Sequence, residues 1–489
     1  MAKHAEEFAQ GQARILSNTT YLLAANIIQK LISLGYFVYY VRILGPSGTG
    51  LFEPVRSVIP IALTVIDLSL ASVLTREIAR TPHRAMEFMN NALSVKILVA
   101  LGAFLTALAV NAFYDFDQLT RTLLFLASIV ICLDMFTTTF TAVLRGLQTF
   151  RYEAMGVVLT SLTTVATGVI AFKLNAGVPG LMIAFIGGSI VNILFMGSVI
   201  TRRLGSFPRL WWNSALIRHF LSISMPILGA ALLAKLFTYS DRYILLKISG
   251  KTAAGIYVAA NKIPFALEFI AAAFAASLLP AMSHFFVTAK DQLSRIFEQA
   301  TRYLIMLSIP IAVGVFVLAH PFAIKLFGKS FADATTPLRI MISALPLIFL
   351  NFPVGSFLIA VNKQLWNTVN LACAVALSVI LNLILQPRFG VSGAAVAVVA
   401  SYLLLYSLGL YQVRRVIKLN TKRLLLTVGR TLLCSGIMAV PLILLQNTFS
   451  PYFLLIPGGM LYLAAIFMFG ELNAGDLRLI LRAIGRKNT

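Results

Sequence analysis

A chain of 489 residues that is 59% hydrophobic and only 12% charged, with a mean hydropathy of +0.88, lies outside the range of soluble globular proteins and leaves no stretch for a soluble domain. The formal net charge of +23 would point a soluble protein towards nucleic acid. Here the basic residues fall between apolar runs, so they report membrane topology and attraction to anionic headgroups, and no nucleic-acid partner is expected.

The opening stretch, MAKHAEEFAQGQARIL, carries Glu6 and Glu7 and lacks an apolar core beside a small-residue cleavage site. Residues 1–15 therefore read as a cytoplasmic segment and not as a cleavable signal peptide. About fourteen apolar segments follow, each long enough to cross a hydrocarbon core of about 30 Å as a helix. They run at 16–42, 52–74, 88–112, 119–145, 150–173, 178–201, 217–247, 251–281, 296–320, 335–360, 365–386, 391–413, 424–446 and 452–470.

Alternate connections are basic. Arg76, Arg80 and Arg84 follow the second segment, Arg145 and Arg151 the fourth, and Arg202, Arg203, Arg209 and Arg218 the sixth. Lys290, Arg295 and Lys363 continue the pattern, then the run Arg414, Arg415, Lys418, Lys422 and Arg423, and a tail with Arg478, Arg482, Arg486 and Lys487. The intervening loops are poorer in Lys and Arg; NAFYDFDQL is acidic and NTFSP uncharged. The asymmetry predicts a multi-pass protein of the inner (plasma) membrane with both termini cytoplasmic.

The chain repeats itself. RILGPSGTGLF (42–52) and KISGKTAAGIY (247–257) share the pattern basic-x-x-Gly-x4-Gly-aliphatic-aromatic at an offset of 205 residues, and GVPGLMIA (177–184) is echoed by GVSGAAVA (390–397) at an offset of 213. A duplicated unit of six helices explains both. Six being even, the halves enter the membrane in the same direction, as in transporters built from parallel repeats. The expected fold class is thus an all-α polytopic membrane protein of two six-helix lobes plus two C-terminal helices. Its expected parts are an N-lobe at 16–203, a cytoplasmic linker at 204–216, a C-lobe at 217–416, the last two helices within 424–470, and a basic tail at 471–489.

The repeat also pairs charges that are expensive inside a bilayer. Lys235, in LLAKLFTYSDRYILLK (232–247), corresponds to Lys30 near the middle of the first helix. A lysine that only reaches for a headgroup has no reason to sit mid-span twice. Asn26, Gln29, Lys30 and Ser33 lie on one face of the first helix, and Lys235, Thr238, Tyr239 and Arg242 do the same on the seventh. The second helix adds Glu53, Arg56 and Asp67; the eighth adds Asn261, Lys262 and Glu268. Placed on one hydrated cavity, Lys30, Lys235 and Lys262 sit near mid-depth, with Arg56 and Arg242 about 8–10 Å nearer the outer face. A cationic lumen in hydrocarbon calls for an anionic ligand, and arginine forks with lysine point charges suit phosphate or diphosphate oxygens.

Asp67, Asp134 and Glu268 are the intramembrane carboxylates available to couple transport to H⁺ or Na⁺, or to neutralise a lysine, such as Asp67 against Lys30. Pro60 and Pro264, at nearly equivalent repeat positions, are candidate hinges, or simply tolerated kinks. Lys96 and Arg339 lie near enough to helix ends to snorkel, and Arg242 with Asp241 could also form a local pair. Cys132, Cys373 and Cys434 are far apart in apolar segments and read as buried small hydrophobes, so no metal or cofactor is indicated. No GxxxxGK[ST], HExxH, CxxC or GxSxG motif is present.

RILGPSGTGLF, SVLTREIAR, YSDRYILLKISGKTAAGIYVAANKI, SLLPAMSHFF and RFGVSGAAVA, in this order and spacing, resemble the polysaccharide-biosynthesis flippases, Wzx-type members of the multidrug/oligosaccharidyl-lipid/polysaccharide exporter superfamily. The resemblance covers most of the chain. It implies two six-helix lobes about a cavity lined by helices 1, 2, 7 and 8, and movement of polyprenyl-diphosphate-linked oligosaccharide from the inner to the outer leaflet. The partners it implies are the lipid-linked glycan, the bilayer and other polysaccharide-assembly proteins. A lipid II flippase shares the fold and also uses basic residues in helices 1, 2 and 8, but its first-helix arginine pattern is represented here only by Lys30. A drug antiporter of the same fold would need an anionic cavity, and a membrane polymerase or ligase a large outer loop, which the sequence lacks. A scaffold docked through the basic tail would leave the buried lysines unexplained.

Overall fold

The computed structural model describes residues 2–446 and 448–472 and, of residues 2–20 and 23, the backbone only; every regular element among them is helical. The tail expected at 471–489 lies outside the described residues from 473 onward.

Among the described residues eleven runs are long and apolar enough to cross a membrane, and three of them, Ala24–Asp67, Ser214–Thr288 and Gln364–Arg414, are too long for one crossing. Each is broken where a glycine adopts a positive φ: Gly45 (66°), Gly250 (85°) and Gly390 (53°). L-residues rarely adopt these conformations, so the glycines turn the chain back without a loop. The runs thus resolve into about fourteen helices, as expected. They are α1 (2–44), α2 (46–67), α3 Ala85–Phe113, α4 Gln118–Gly146, α5 Phe150–Lys173, α6 Gly177–Leu204, α7 (214–249), α8 (251–288), α9 Lys290–Val317, α10 Leu345–Ala360, α11 (364–389), α12 (391–414), α13 Thr421–Leu445 and α14 Pro451–Met468.

The duplication reaches the backbone. Gly45 and Gly250 stand at the repeat offset of 205 and share nearly the same conformation, with ψ of −176° and 180°. In the second echo Gly177 and Gly390 have φ of 58° and 53°.

Two compact units emerge, Met1–Ser240 and Asp241–Thr489, with the division inside α7. In the first, α6 packs on α4 and α5, and α4 on α3. Its core includes Leu74, Phe88, Val143, Met196 and Ile200 and takes in Ile217 and Phe220 from the start of α7. The connection 205–213 is pinned along α3: Asn90 accepts from Arg209 N, Ser94 from Trp211 N and Asn91 from Asn213 N, at 2.7–3.0 Å. In the second unit α9 lies against α10 and α13, and α13 against α14, with Met282, Phe297, Phe357 and Val413 in one cluster.

Three expectations need correction. The segment 52–74 is not one helix: Leu68 and Ser69 both have positive φ, and a separate helix, Leu70–Arg80, buries Leu70, Val73, Leu74 and Ile78 and leaves Arg76 and Arg80 exposed. The segment 335–360 is Thr335–Ser343 followed by α10, which starts afresh with Pro346 in its first turn. Of the cysteines only Cys434 is buried; Cys132 is half-buried and Cys373 exposed.

Candidate functional site

In the first unit the glycine break lets the end of α1 meet the start of α2. Glu53 on α2 is 1% exposed. A carboxylate so buried must be paired, and it is: Tyr40 Oη donates to Oε1, while Arg56 Nε and Nη2 donate to Oε1 and Oε2 at 3.1 and 2.9 Å. Spacing of i, i+3 on α2 sets this two-pronged grip. Arg56 is thereby held rigid, its guanidinium 5.8 Å from the centre of the Phe185 ring of α6, with about a third of its side chain open.

The second unit repeats the device with the roles moved. Asp241 on α7, 4% exposed, accepts from Tyr257 Oη of α8 and from the backbone N of Arg242 at 2.8 Å. In both units a tyrosine hydroxyl thus bonds a buried carboxylate across the glycine break, and an arginine lies beside that carboxylate in sequence or on the next turn. Arg242 is itself buried, 6% exposed.

The three carboxylates read as coupling candidates have different surroundings. Asp67 closes on Lys96 of α3 at 2.6 Å; the lysine also donates to Thr139 of α4 at 2.9 Å. Lys96 therefore does not snorkel but is fully buried, and Asp67 faces it rather than Lys30. The second oxygen of Asp67 accepts from Ala71 N at 3.3 Å, holding the start of the helix Leu70–Arg80. Glu268 on α8 accepts from Tyr402 of α12 at 3.2 Å. Asp134 on α4 accepts from Ser189 of α6 at 2.6 Å and has no cation beside it among the described residues.

Lys30 is exposed on α1, while Lys235 and Lys262 are half-buried on α7 and α8. Lys235 makes no hydrogen bond or ion pair among the described residues. It lies 15 residues before Gly250, about 22 Å along the helix, too far to reach the turn. Pro60 and Pro264 keep helical backbone; the departures from helix lie at Gly45, Leu68–Ser69 and Gly250. Arg339, near a helix end as expected, donates to Phe316 O at 3.2 Å.

Sequence reasoning overlooked Tyr40 and Tyr257, whose hydroxyls satisfy the buried acids. It also overlooked Glu471, 5% exposed, just past α14. Arg302 of α9 donates to it at 3.3 Å, and Arg430 and Thr427 of α13 at 3.0 and 3.3 Å. The repeat alone could not find the tyrosines, since at its offset Tyr40 corresponds to Leu245 and Tyr257 to Phe52.

A family model described as polysaccharide biosynthesis protein matches residues 15–286. The uncharacterised membrane protein YabM of Bacillus subtilis is 23% identical over 454 residues, 85% of this chain and 84% of its own. An uncharacterised membrane protein of Methanocaldococcus jannaschii is 22% identical over 413 residues, 76% of this chain and 80% of its own. Among solved structures, the lipid II flippase MurJ in an inward closed conformation superposes with a TM-score of 0.76 at 17% identity, over 92% of this chain and 98% of that one. An inward-facing multidrug resistance MATE family transporter gives 0.64 at 17% identity, over 79% and 94%. The structural likenesses show a shared fold, and the sequence relatives are themselves membrane proteins.

Proposed function

The chain belongs to the polysaccharide biosynthesis protein family, and from that premise we propose that it is a flippase. On this reading it moves a polyprenyl-diphosphate-linked oligosaccharide from the inner to the outer leaflet of the cytoplasmic membrane by alternating access, without enzymatic chemistry. Lys30, Arg56, Lys235, Arg242 and Lys262 hold the diphosphate.

The observation that carries the proposal is Lys235, an ammonium in the middle of an apolar helix with no counterion among the described residues. A charge kept at that depth is costly and is retained where a ligand or pathway needs it. A diphosphate supplies the missing negative charge. The buried carboxylates support the same reading, since Glu53, Asp67 and Asp241 already have protein partners and do not form an acidic site for a cationic drug. Coupling to H⁺ or Na⁺ is assigned to Asp134, Asp67 or Glu268. Both termini are placed in the cytoplasm, where other polysaccharide-assembly proteins would meet them.

The test is transbilayer movement of a short-chain polyprenyl-diphosphate oligosaccharide in proteoliposomes, comparing wild type with Lys30→Gln/Lys235→Gln after both are shown to fold and insert equally. Movement by wild type alone supports the proposal. Equal movement by both sinks the role of the lysines, and movement by neither sinks the substrate class. Lipid II, assayed in parallel, separates the two diphosphate lipids.

A further inference from the structure

Outside the helices that carry the cationic stripes, the second unit contains a cavity of about 410 Å³ lined by Arg295, Glu298, Gln299 and Arg302 of α9 and by Arg423, Leu424 and Thr427 of α13. That volume lies within the usual range for small-ligand sites, about 300–1,000 Å³. Three guanidinium groups from two helices far apart in sequence converge on it, against one carboxylate.

Its walls are tied together. Ser294 donates to Lys418 O at 2.6 Å and Glu298 accepts from Asn420 N at 2.6 Å, so the connection before α13 is fixed to α9 at the mouth. At the back, Glu471 binds Arg302 of one wall and Arg430 and Thr427 of the other. Glu298 and Glu471 are thus engaged by the protein. The guanidinium groups of Arg295 and Arg423, exposed at the mouth, have no hydrogen-bond or ion-pair partner among the described residues; the Arg423 backbone N donates to the capping Asn420 at 3.1 Å. Arg423, the last of the basic run 414–423, sits in the first turn of α13 and Arg295 in the second turn of α9, so the cavity opens at headgroup level and not in hydrocarbon.

A positive loop that only records topology needs no concavity and no shared target for its side chains. Here two arginines flank a preformed pocket whose rigid floor is already neutralised, the arrangement that basic pockets between membrane helices use for phosphate. We propose that this pocket is a binding site for a phosphate-bearing anion, supplied by an anionic lipid headgroup or by a soluble phosphate, with Arg295 and Arg423 as its direct ligands and Gln299 as a further donor. An occupant bridging Arg295 and Arg423 would hold α13 to α9.

The experiment uses the full chain, delipidated and placed in phosphatidylcholine nanodiscs containing a minor fraction of phosphatidylglycerol, with lipid retained after exchange measured by native mass spectrometry. Arg295→Gln/Arg423→Gln is compared with Arg415→Gln/Lys422→Gln, which removes the same charge from the same face outside the pocket. The site predicts that wild type and the second variant retain phosphatidylglycerol alike, while the first loses about tenfold in affinity. Inorganic phosphate is the other arm. If it raises the unfolding temperature of wild type but not of Arg295→Gln/Arg423→Gln, and phosphatidylglycerol shows no preference, the source is soluble and the site stands. Equal losses in both variants, or no response to either anion, overturn it. Since Arg295 and Arg423 are exposed, their replacement leaves folding intact, and Arg295→Lys/Arg423→Lys should restore part of the retention.

Discussion

Lys96 Nζ on α3 lies 2.6 Å from Asp67 Oδ1 at the end of α2, with none of the lysine side chain exposed. With Thr139 as its second partner, the ammonium joins three helices of the first unit. Removing one member of a buried pair strands the other charge. Lys96→Met is expected to cost about 3–5 kcal/mol, and Lys96→Met/Asp67→Asn to recover much of it; thermal unfolding in detergent measures both. A double variant as unstable as the single one would show that the pair is not what the stability rests on.

The paired glycine breaks make a symmetric prediction. A Cβ at Gly45 or Gly250 meets no atom within 4 Å, so any cost of Gly45→Ala or Gly250→Ala comes from the backbone alone. Each should lose about 1–3 kcal/mol, by similar amounts. Gly436, equally open but in the right-handed helix α13, should instead gain up to about 1 kcal/mol as alanine. Unfolding midpoints of the three variants decide.

The grip of Glu53 on Arg56 depends on a planar fork. Arg56→Lys keeps the charge but cannot make both bonds, and Glu53→Gln keeps the shape but removes the countercharge. Either should cost about 1–3 kcal/mol, with Tyr40→Phe costing less, since the arginine still satisfies the acid. Equal stability of Glu53→Gln and wild type in chemical denaturation would count against this account.

Lys235 is expected to act on transport and not on folding, because it has no internal partner to lose. Loss of one charge-assisted bond to a diphosphate lowers the initial rate of lipid movement by about 10–100-fold in Lys235→Gln, while the unfolding midpoint stays put. Lys235→Arg, which keeps the charge, should retain a large share of the rate. A destabilised Lys235→Gln would assign the lysine to the scaffold.

The sequence carried the helices well, because each must span the same thickness of hydrocarbon, and carried the duplication well, because a turn through positive φ needs glycine at the same place in both copies. RILGPSGTGLF and KISGKTAAGIY announced Gly45 and Gly250 before any coordinate did. It carried side-chain partners poorly. Which lysine neutralises Asp67 depends on how α2 and α3 rotate against each other, and nothing within either helix encodes that rotation. The break at Leu68–Ser69 was equally hidden, since neither residue is the glycine or asparagine that positive φ favours, and the conformation is held by the Asp67 carboxylate and the buried face of the helix that follows. Glu471 escaped notice because it lies beyond the last apolar run, far in sequence from the arginines it serves.

Arg302 and Arg430 receive the Glu471 carboxylate 169 and 41 residues after their own positions in the chain. A ribosome delivers residues in order, so α9 and α13 enter the membrane with their guanidinium groups still lacking that acid. The bond forms only when α14 has been inserted. The seam between α9 and α13 is therefore closed by a side chain made after every helix it joins, and a chain interrupted before residue 471 leaves that seam cationic and open.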